Sequence, residues 1–447
     1  MNLDKKLVLI LGIYIFTAVI LYDYFSINWD EAVYILNAKH FAGENIYFEL
    51  FRPPVLPLIL SPLAFFTKSY LILKLIPIML NGGLVVLVYK LSKQYIDEKT
   101  ALFSSLFLAT NTLFQQYSVK LFTGLPMCFF AFLAIYFFMK KKTVLSAFFM
   151  AVTFLTRYPG GLIFLILLYY LFKKEFKKFA LSILIITAVI TPWVIYNYYQ
   201  SPENEAFYFV KYGILYPSEA PAESPLYFFE HGFDIYSASI FLAPFLIYSV
   251  AKLKQNKFIA VCVVLLFAIF SFFQFSLSGH KEIRYLLITV PFFTITAVNG
   301  FFKSPLKEKK WILILILVLH AGLSSFITYM AKVEPGGVIN IEESSEYMKT
   351  LPGAWITETI YSGRTASVLW PLTAYFSEKQ VSELPAESSD FNEEWLIKNQ
   401  IRYIYSVSNS GWPEYALNKS FFNEKPYLVL IKTFESCNEV NIYEYKG

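Results

Sequence analysis

Residues 28–62 read NWDEAVYILNAKHFAGENIYFELFRPPVLPLILSP, the first long hydrophilic interruption in a very apolar chain. Asn28 stands where a helix cap belongs, with Glu31 three positions on, the spacing of a capping box. From there the pattern predicts a helix that Gly43 ends. Asp30, Tyr34 and Asn37 fall on one face of it, while Ala32, Val33, Ile35 and Leu36 are apolar. Such a helix is expected to lie along a membrane surface. Two readings of Asp30 and Glu31 stay open. They complement the helix dipole, or one is a carboxylate at the lipid boundary that takes a proton from an acceptor group. The stretch closes on Arg52-Pro53-Pro54. Proline keeps Arg52 extended, where it either snorkels at the interface or meets a phosphate. The apolar run 55–66 carries Pro57 and Pro62 and is too short to span a bilayer. It is expected to lie along or dip into one face rather than to form a good helix.

Working outward, 56% hydrophobic residues, 19% aromatic, 16% charged and a mean hydropathy of +0.50 exclude a soluble globule. Apolar runs of span length fall at 7–22, 69–89, 100–117, 121–139, 143–157, 159–172, 179–199, 235–251, 258–277, 284–302 and 311–330, eleven in all. The first run lacks a small-residue cleavage pattern and reads as a retained helix. The intervening segments alternate in basic content, with nineteen lysines in six segments on one side and nine basic residues on the other. The positive-inside rule makes the lysine-rich side cytoplasmic. That parity places loop 23–68, loop 200–234 and everything after Ala331 on the outer face. The overall charge of +5 means little until it is divided in this way. Cys128, Cys262 and Cys437 do not suggest a disulfide framework.

Residues 331–447 differ in kind, with 10 basic and 16 acidic residues and no run of membrane length. β-rich stretches at 354–360, 401–407, 427–434 and 440–445 alternate with helix-like ones at 342–351, 391–399 and 413–422. The pattern predicts a small α/β domain outside the membrane. Asn418-Lys419-Ser420 is a glycosylation sequon of little weight by itself. The division expected is therefore 1–330, helical and membrane-embedded, and 331–447, extracytoplasmic. No phosphate loop, dinucleotide fingerprint, zinc spacing or nucleophile elbow is present, and nothing suggests nucleic acid as a partner.

Two further constellations could carry chemistry. In Leu155-Thr156-Arg157-Tyr158-Pro159-Gly160 an arginine sits in a tight turn between apolar runs, on the side the charge rule disfavours. It grips a phosphate or a buried structural partner. In His280-Lys281-Glu282-Ile283-Arg284-Tyr285, ionisable groups crowd the start of a span. If helical, His280 shares a face with Arg284, and Lys281 with Tyr285. The cluster is an ordinary interfacial one or a cradle for a departing anion.

In this order, NWDEAVYILNAKHFAG, FRPPVLPLILSP, FLTRYPG, TPWVIYNYY (191–199) and HKEIRYLLITVP resemble the dolichyl-phosphate-mannose–protein mannosyltransferase and aminoarabinose transferase superfamily, with the C-type glycosyltransferase fold. The resemblance covers roughly residues 1–330. It implies inverting transfer of a sugar from a polyprenyl-phosphate carrier, at the outer face of the cell membrane, to a protein, lipid or glycan acceptor. It makes Asp30 the leading candidate base and Glu31 its support, or a metal ligand with it where a divalent metal is used. Arg52, Arg157, Tyr158, His280, Lys281, Arg284 and Tyr285 correspond to groups near the lipid phosphate. Tyr34, Asn37 and Glu282 support them. One departure stands out. Where relatives carry an acid in the next outer loop, this chain reads Leu121-Phe122-Thr123-Gly124-Leu125-Pro126. A second acid then comes from elsewhere, with Glu203 and Glu205 as candidates, or one carboxylate suffices, or the member is impaired. A sugar phosphate leaves as a stable anion, so departure needs positive charge more than the proton donor of glycoside hydrolysis. Rival classes are a transporter or flippase, for which paired helix interruptions are missing, and a non-catalytic lipid- or glycan-binding protein.

Overall fold

The computed structural model describes residues 4–22, 27–67, 69–201, 204–213, 224, 226–251, 256–275, 281–330, 339–351, 364–367, 370–377, 381–385, 387–407, 415, 418–434 and 439–446. These divide into two compact units. The first holds residues 1–25, 50–56 and 69–333; the second holds 26–49, 57–68 and 334–447.

The chain is mostly helical. The chain first forms α1 (Lys5–Leu21), α2 (Trp29–Phe41) and α3 (Val55–Phe66). Then come α4 (Tyr70–Tyr95), α5 (Glu98–Ala109), α6 (Thr112–Ser118), α7 (Gly124–Met139), α8 (Thr143–Thr156), α9 (Ile166–Phe172) and α10 (Phe176–Gln200). Four short helices follow: α11 (Tyr208–Gly213), α12 (Tyr227–Glu230), α13 (Gly232–Tyr236) and α14 (Leu246–Val250). The bundle closes with α15 (Lys257–Gln274), α16 (Val290–Lys303) and α17 (Lys310–Met330). The described parts of the apolar runs are largely helical, and among the described residues six segments are long and apolar enough to cross a membrane. Apolar side chains such as Phe16, Leu184 and Val318 face outward on α1, α10 and α17, a surface that water would not tolerate.

Three of these runs open as tight 3-10 turns, at Tyr158–Leu165, Ser237–Phe245 and Ile283–Thr289, before relaxing into α-helix. Two of them are tied together where the Tyr236 hydroxyl meets Thr289 Oγ1 at 2.7 Å. Nearby, α16 runs against the 3-10 turn with no side chain between. A Cβ on Gly300 would land on the Phe245 carbonyl, and Asn299 Nδ2 donates to Ser249 Oγ at 2.8 Å beside it. Because the obstacle is backbone, Gly300→Ala should cost at least the upper part of the about 1–3 kcal/mol typical of overpacking. A thermal melt of the purified variant against the parent checks this, and an unchanged midpoint would refute it.

The second unit contains a five-stranded sheet of β1 (Arg364–Ser367), β2 (Val381–Glu383), β3 (Ile401–Val407), β4 (Leu428–Phe434) and β5 (Val440–Tyr445). Their order is β2-β1-β3-β5-β4. β1 runs parallel to β2 and β3, whereas β5 is antiparallel to both β3 and β4. β3 is buried along almost its whole length, as a central strand must be. The helices here are α18 (Ile339–Thr350), α19 (Trp370–Ser377), α20 (Glu393–Lys398) and α21 (Lys419–Asn423). The expected strands at 401–407, 427–434 and 440–445 are present, while 354–360 lies outside the described residues. β1, β2 and α19 were not legible as elements.

Two local expectations are corrected. Residues 55–66 form a regular helix despite two prolines. Pro57 sits in the first turn, where no N–H is needed. Pro62 withholds a donor from the Leu58 carbonyl, and the Ser61 hydroxyl supplies one at 3.0 Å. The helix α2, expected to lie half-exposed on a lipid surface, is buried continuously from Glu31 to Lys39. It packs on α19, and Leu36 and Ile46 share a core with Ala374 and Val381.

Candidate active site

The helix α2 begins as its sequence requires. Asn28 Oδ1 accepts from Glu31 N at 3.2 Å, and Glu31 Oε2 accepts from Asn28 N at 3.3 Å, a closed capping box. Glu31 is thereby fully buried and committed to the helix start, whereas Asp30 is half-buried. The helix stops at Gly43, whose φ of +98° suits glycine. Asn37 is buried. Its side chain pairs with both backbone groups of Glu49 at 3.0 Å and fixes the returning loop. Tyr34 is buried in the same helix. One Glu31 oxygen closes the cap. Among the described residues no three His, Cys, Asp or Glu side chains gather as a metal site.

At the far end of α2, His40 stacks on Phe48 with ring centroids 4.2 Å apart. Burial holds its pKa below the ordinary histidine value. The unfolded chain then binds the proton more readily. The stability contribution of neutral His40 is complete above about pH 6.5 and is lost as pH falls through the depressed folded value. Melting midpoints should fall on acidification in this window, and less so in His40→Phe; identical profiles would refute the assignment.

In the first unit the cationic residues form one continuous aromatic-backed group. Arg157 ends α8 in extended backbone. Its guanidinium lies over the Tyr285 ring at 5.3 Å, and Arg284 lies 6.0 Å from the same ring. Arg284 also covers Phe122 at 4.9 Å. Phe122 in turn abuts Tyr117 at 5.2 Å, and Lys120 sits over Tyr117 at 5.2 Å. Lys120 was not singled out from sequence; its only signal was a basic residue on the lysine-poor side. Glu282 accepts from Arg284 Nη2 at 2.7 Å and also pairs with its Nε, so this arginine is internally compensated.

Arg157 is different. Among the described residues it has no carboxylate partner, and it is half-buried. The residue against it is Gly124, where a Cβ would stand 3.2 Å from Arg157 Nη1. The place where an acid was expected is thus directly beside the arginine, and it carries no side chain. A half-buried guanidinium facing only a ring is worth about 0.5–2 kcal/mol, less than an anion would give.

Tyr158, expected near the lipid phosphate, is buried, and its hydroxyl donates to the Phe51 carbonyl at 2.9 Å while receiving Trp193 Nε1–H at 3.3 Å. It therefore positions the residue preceding Arg52, and it explains why the 191–199 motif accompanies the 155–160 turn. Gly160 is forced, since a Cβ there would lie 2.6 Å from the Thr153 carbonyl. Arg52 lies over Phe51 at 5.5 Å.

Lys281 is buried, with Nζ donating to the Ser224 and Gln274 carbonyls at 3.2 Å each. It and Glu282 precede the 3-10 turn, so the helical pairing of Lys281 with Tyr285 does not occur. His280 and Glu203 lie outside the described residues. Glu205 forms an ion pair with Lys211 at 2.9 Å. Cys128 and Cys262 are buried free thiols.

Residues 52–196, less than half of the chain, match the family described as dolichyl-phosphate-mannose-protein mannosyltransferase. A sequence comparison with curated proteins finds no match. Among solved structures, ArnT from Cupriavidus metallidurans bound to undecaprenyl phosphate is similar at a TM-score of 0.69 and 11% identity, covering 98% of this chain and 97% of that one. The Archaeoglobus fulgidus oligosaccharyltransferase, in complex with Zn and sulfate, gives 0.62 and 13%, over 90% of this chain and 67% of that one. Arabinofuranosyltransferase AftD from Mycobacteria gives 0.61 and 11%, over 100% and 40%. The fold is that of the C-type glycosyltransferases.

Proposed function

We propose that the chain is an integral-membrane inverting glycosyltransferase. It moves a sugar from a polyprenyl-phosphate carrier to a protein, lipid or glycan acceptor at the outer face, with eleven spans and residues 331–447 outside. Asp30 takes the proton of the acceptor group as its oxygen or nitrogen attacks the anomeric carbon. The bond from that carbon to the phosphate oxygen breaks, and the electron pair leaves with the phosphate. Arg157, helped by Lys120, Arg52 and Arg284, neutralises the charge that develops there. Lys281, and His280 by its place in the sequence, hold the neighbouring segment positive.

The observation that carries this reading is Arg157, half-buried on Tyr285 with no carboxylate partner among the described residues. A guanidinium left in that state is suited to a phosphate ligand. Gly124 equally favours a second reading, a relative that binds polyprenyl phosphate without turnover. A transfer assay with a panel of labelled polyprenyl-phosphate sugars and cell-envelope acceptors separates the two. Product formation supports the proposal, and stable donor binding with no product supports the second reading. Neither binding nor product would overturn both.

A further inference from the structure

A second charged cluster lies apart from these residues, in the lysine-rich turns joining α7 to α8 and α9 to α10. Both turns have the same build. Lys141 N donates to the Phe138 carbonyl at 3.0 Å and Lys142 N to Phe137 at 2.9 Å. In the other turn, Lys174 N donates to Leu171 at 2.9 Å and Glu175 N to Tyr170 at 2.8 Å. These are paired Schellman closures, whose left-handed residue is ordinarily glycine. Here it is lysine both times, at φ 58° and 57°. A left-handed lysine is costly, and the same costly choice recurs.

Lys257, the first residue of α15, reaches this cluster. Asn256 caps the helix and is fixed by donating to the Tyr95 carbonyl at 2.6 Å. The Lys257 ammonium then sits 3.8 Å from the Phe138 ring centre and 3.9 Å from that of Tyr169. The two rings meet at 90°, forming a corner. Lys141, Lys173 and Lys178 lie within electrostatic reach of Lys257. Glu175 is the acid in the same neighbourhood, and it pairs with Lys178 at 3.0 Å. Beside the α9–α10 turn, Phe172 and Phe176 project outward, 80% and 62% exposed.

Clustered ammonium groups, one of them backed by a rigid aromatic corner, match a phosphate. Exposed phenylalanines bordering them match a hydrocarbon chain attached to that phosphate. We infer that the α7–α8 and α9–α10 turns with Lys257 form a binding site for the headgroup of an anionic phospholipid, at the membrane face opposite the candidate active site. The inference rests on the membrane-spanning reading of the chain and not on the transfer reaction. It gives the cluster a role beyond setting orientation, because orientation does not require lysine at the two left-handed positions.

The glycine rule supplies a test that separates binding from folding. The full-length protein is reconstituted in zwitterionic phosphatidylcholine bilayers, with or without phosphatidylglycerol, and its thermal midpoint is read. Phosphatidylglycerol should raise the midpoint by several degrees in the parent. Lys141→Gly combined with Lys174→Gly should be at least as stable in phosphatidylcholine alone, since glycine fits both turns, yet lose most of the increment. Lys257→Met, which keeps the aliphatic stem, should also lose it. An increment unchanged in these variants would overturn the site. So would an equal increment from inorganic phosphate added to phosphatidylcholine bilayers, which would make the ligand a free anion.

Discussion

Asp30→Asn is expected to abolish sugar transfer while leaving the protein folded and able to bind its donor. The substitution is isosteric and lies one residue inside the capping box, so the Asn28–Glu31 hydrogen bonds remain intact. The helix start loses one negative charge near its N-terminus, about 0.3–1 kcal/mol. What catalysis loses is a positioned base, worth about 10²–10⁴-fold. Position 124 carries no acid, and one Glu31 oxygen is engaged in the cap. Initial rates with a labelled donor, alongside donor binding on the same preparation, check this. Transfer at the parental rate would remove Asp30 from the role of base.

Gly124→Asp should reduce transfer by about 10²-fold, the scale of losing one donor that stabilises developing charge. The new carboxylate would emerge beside Arg157 Nη1 and occupy the guanidinium that the proposal reserves for phosphate. Folding should not suffer. Gly124 is the first residue of α7, where an acid complements the helix dipole, and the nearest obstacle is the flexible end of a side chain. Gly124→Ala is the control. It adds the Cβ without the charge and should stay close to the parent in both melting midpoint and donor affinity. The opposite outcome is equally informative: a rise in transfer by Gly124→Asp would show that this chain lacks an acid it needs beside Arg157.

The start and stop of α2 were legible because both depend on local rules, the asparagine cap with its Glu31 partner and the left-handed Gly43. Its burial from Glu31 to Lys39 was not, because the covering helix α19 lies more than three hundred residues further along the chain. Residues 55–66 misled through their prolines. The Ser61 hydroxyl that satisfies Leu58 is a neighbour effect that propensity reasoning does not contain. At residues 281–285 the assumed helical period failed because the chain there is extended before it tightens into a 3-10 turn. The motifs themselves were readable, but their division of labour was not. Tyr158 was read as a residue near the phosphate, and its hydroxyl also joins Trp193 to the Phe51 carbonyl just before Arg52. Gly124 was conspicuous as a missing acid, yet only three dimensions put its bare Cα against Arg157.

The proposed transfer is a single displacement by one base and a cationic leaving-group cradle. The most direct test is the anomeric configuration of the product relative to the donor, read by NMR from the anomeric proton after transfer by the purified protein. Inversion is the predicted result. Retention would require a covalent glycosyl-enzyme formed on a second carboxylate, and would contradict the account.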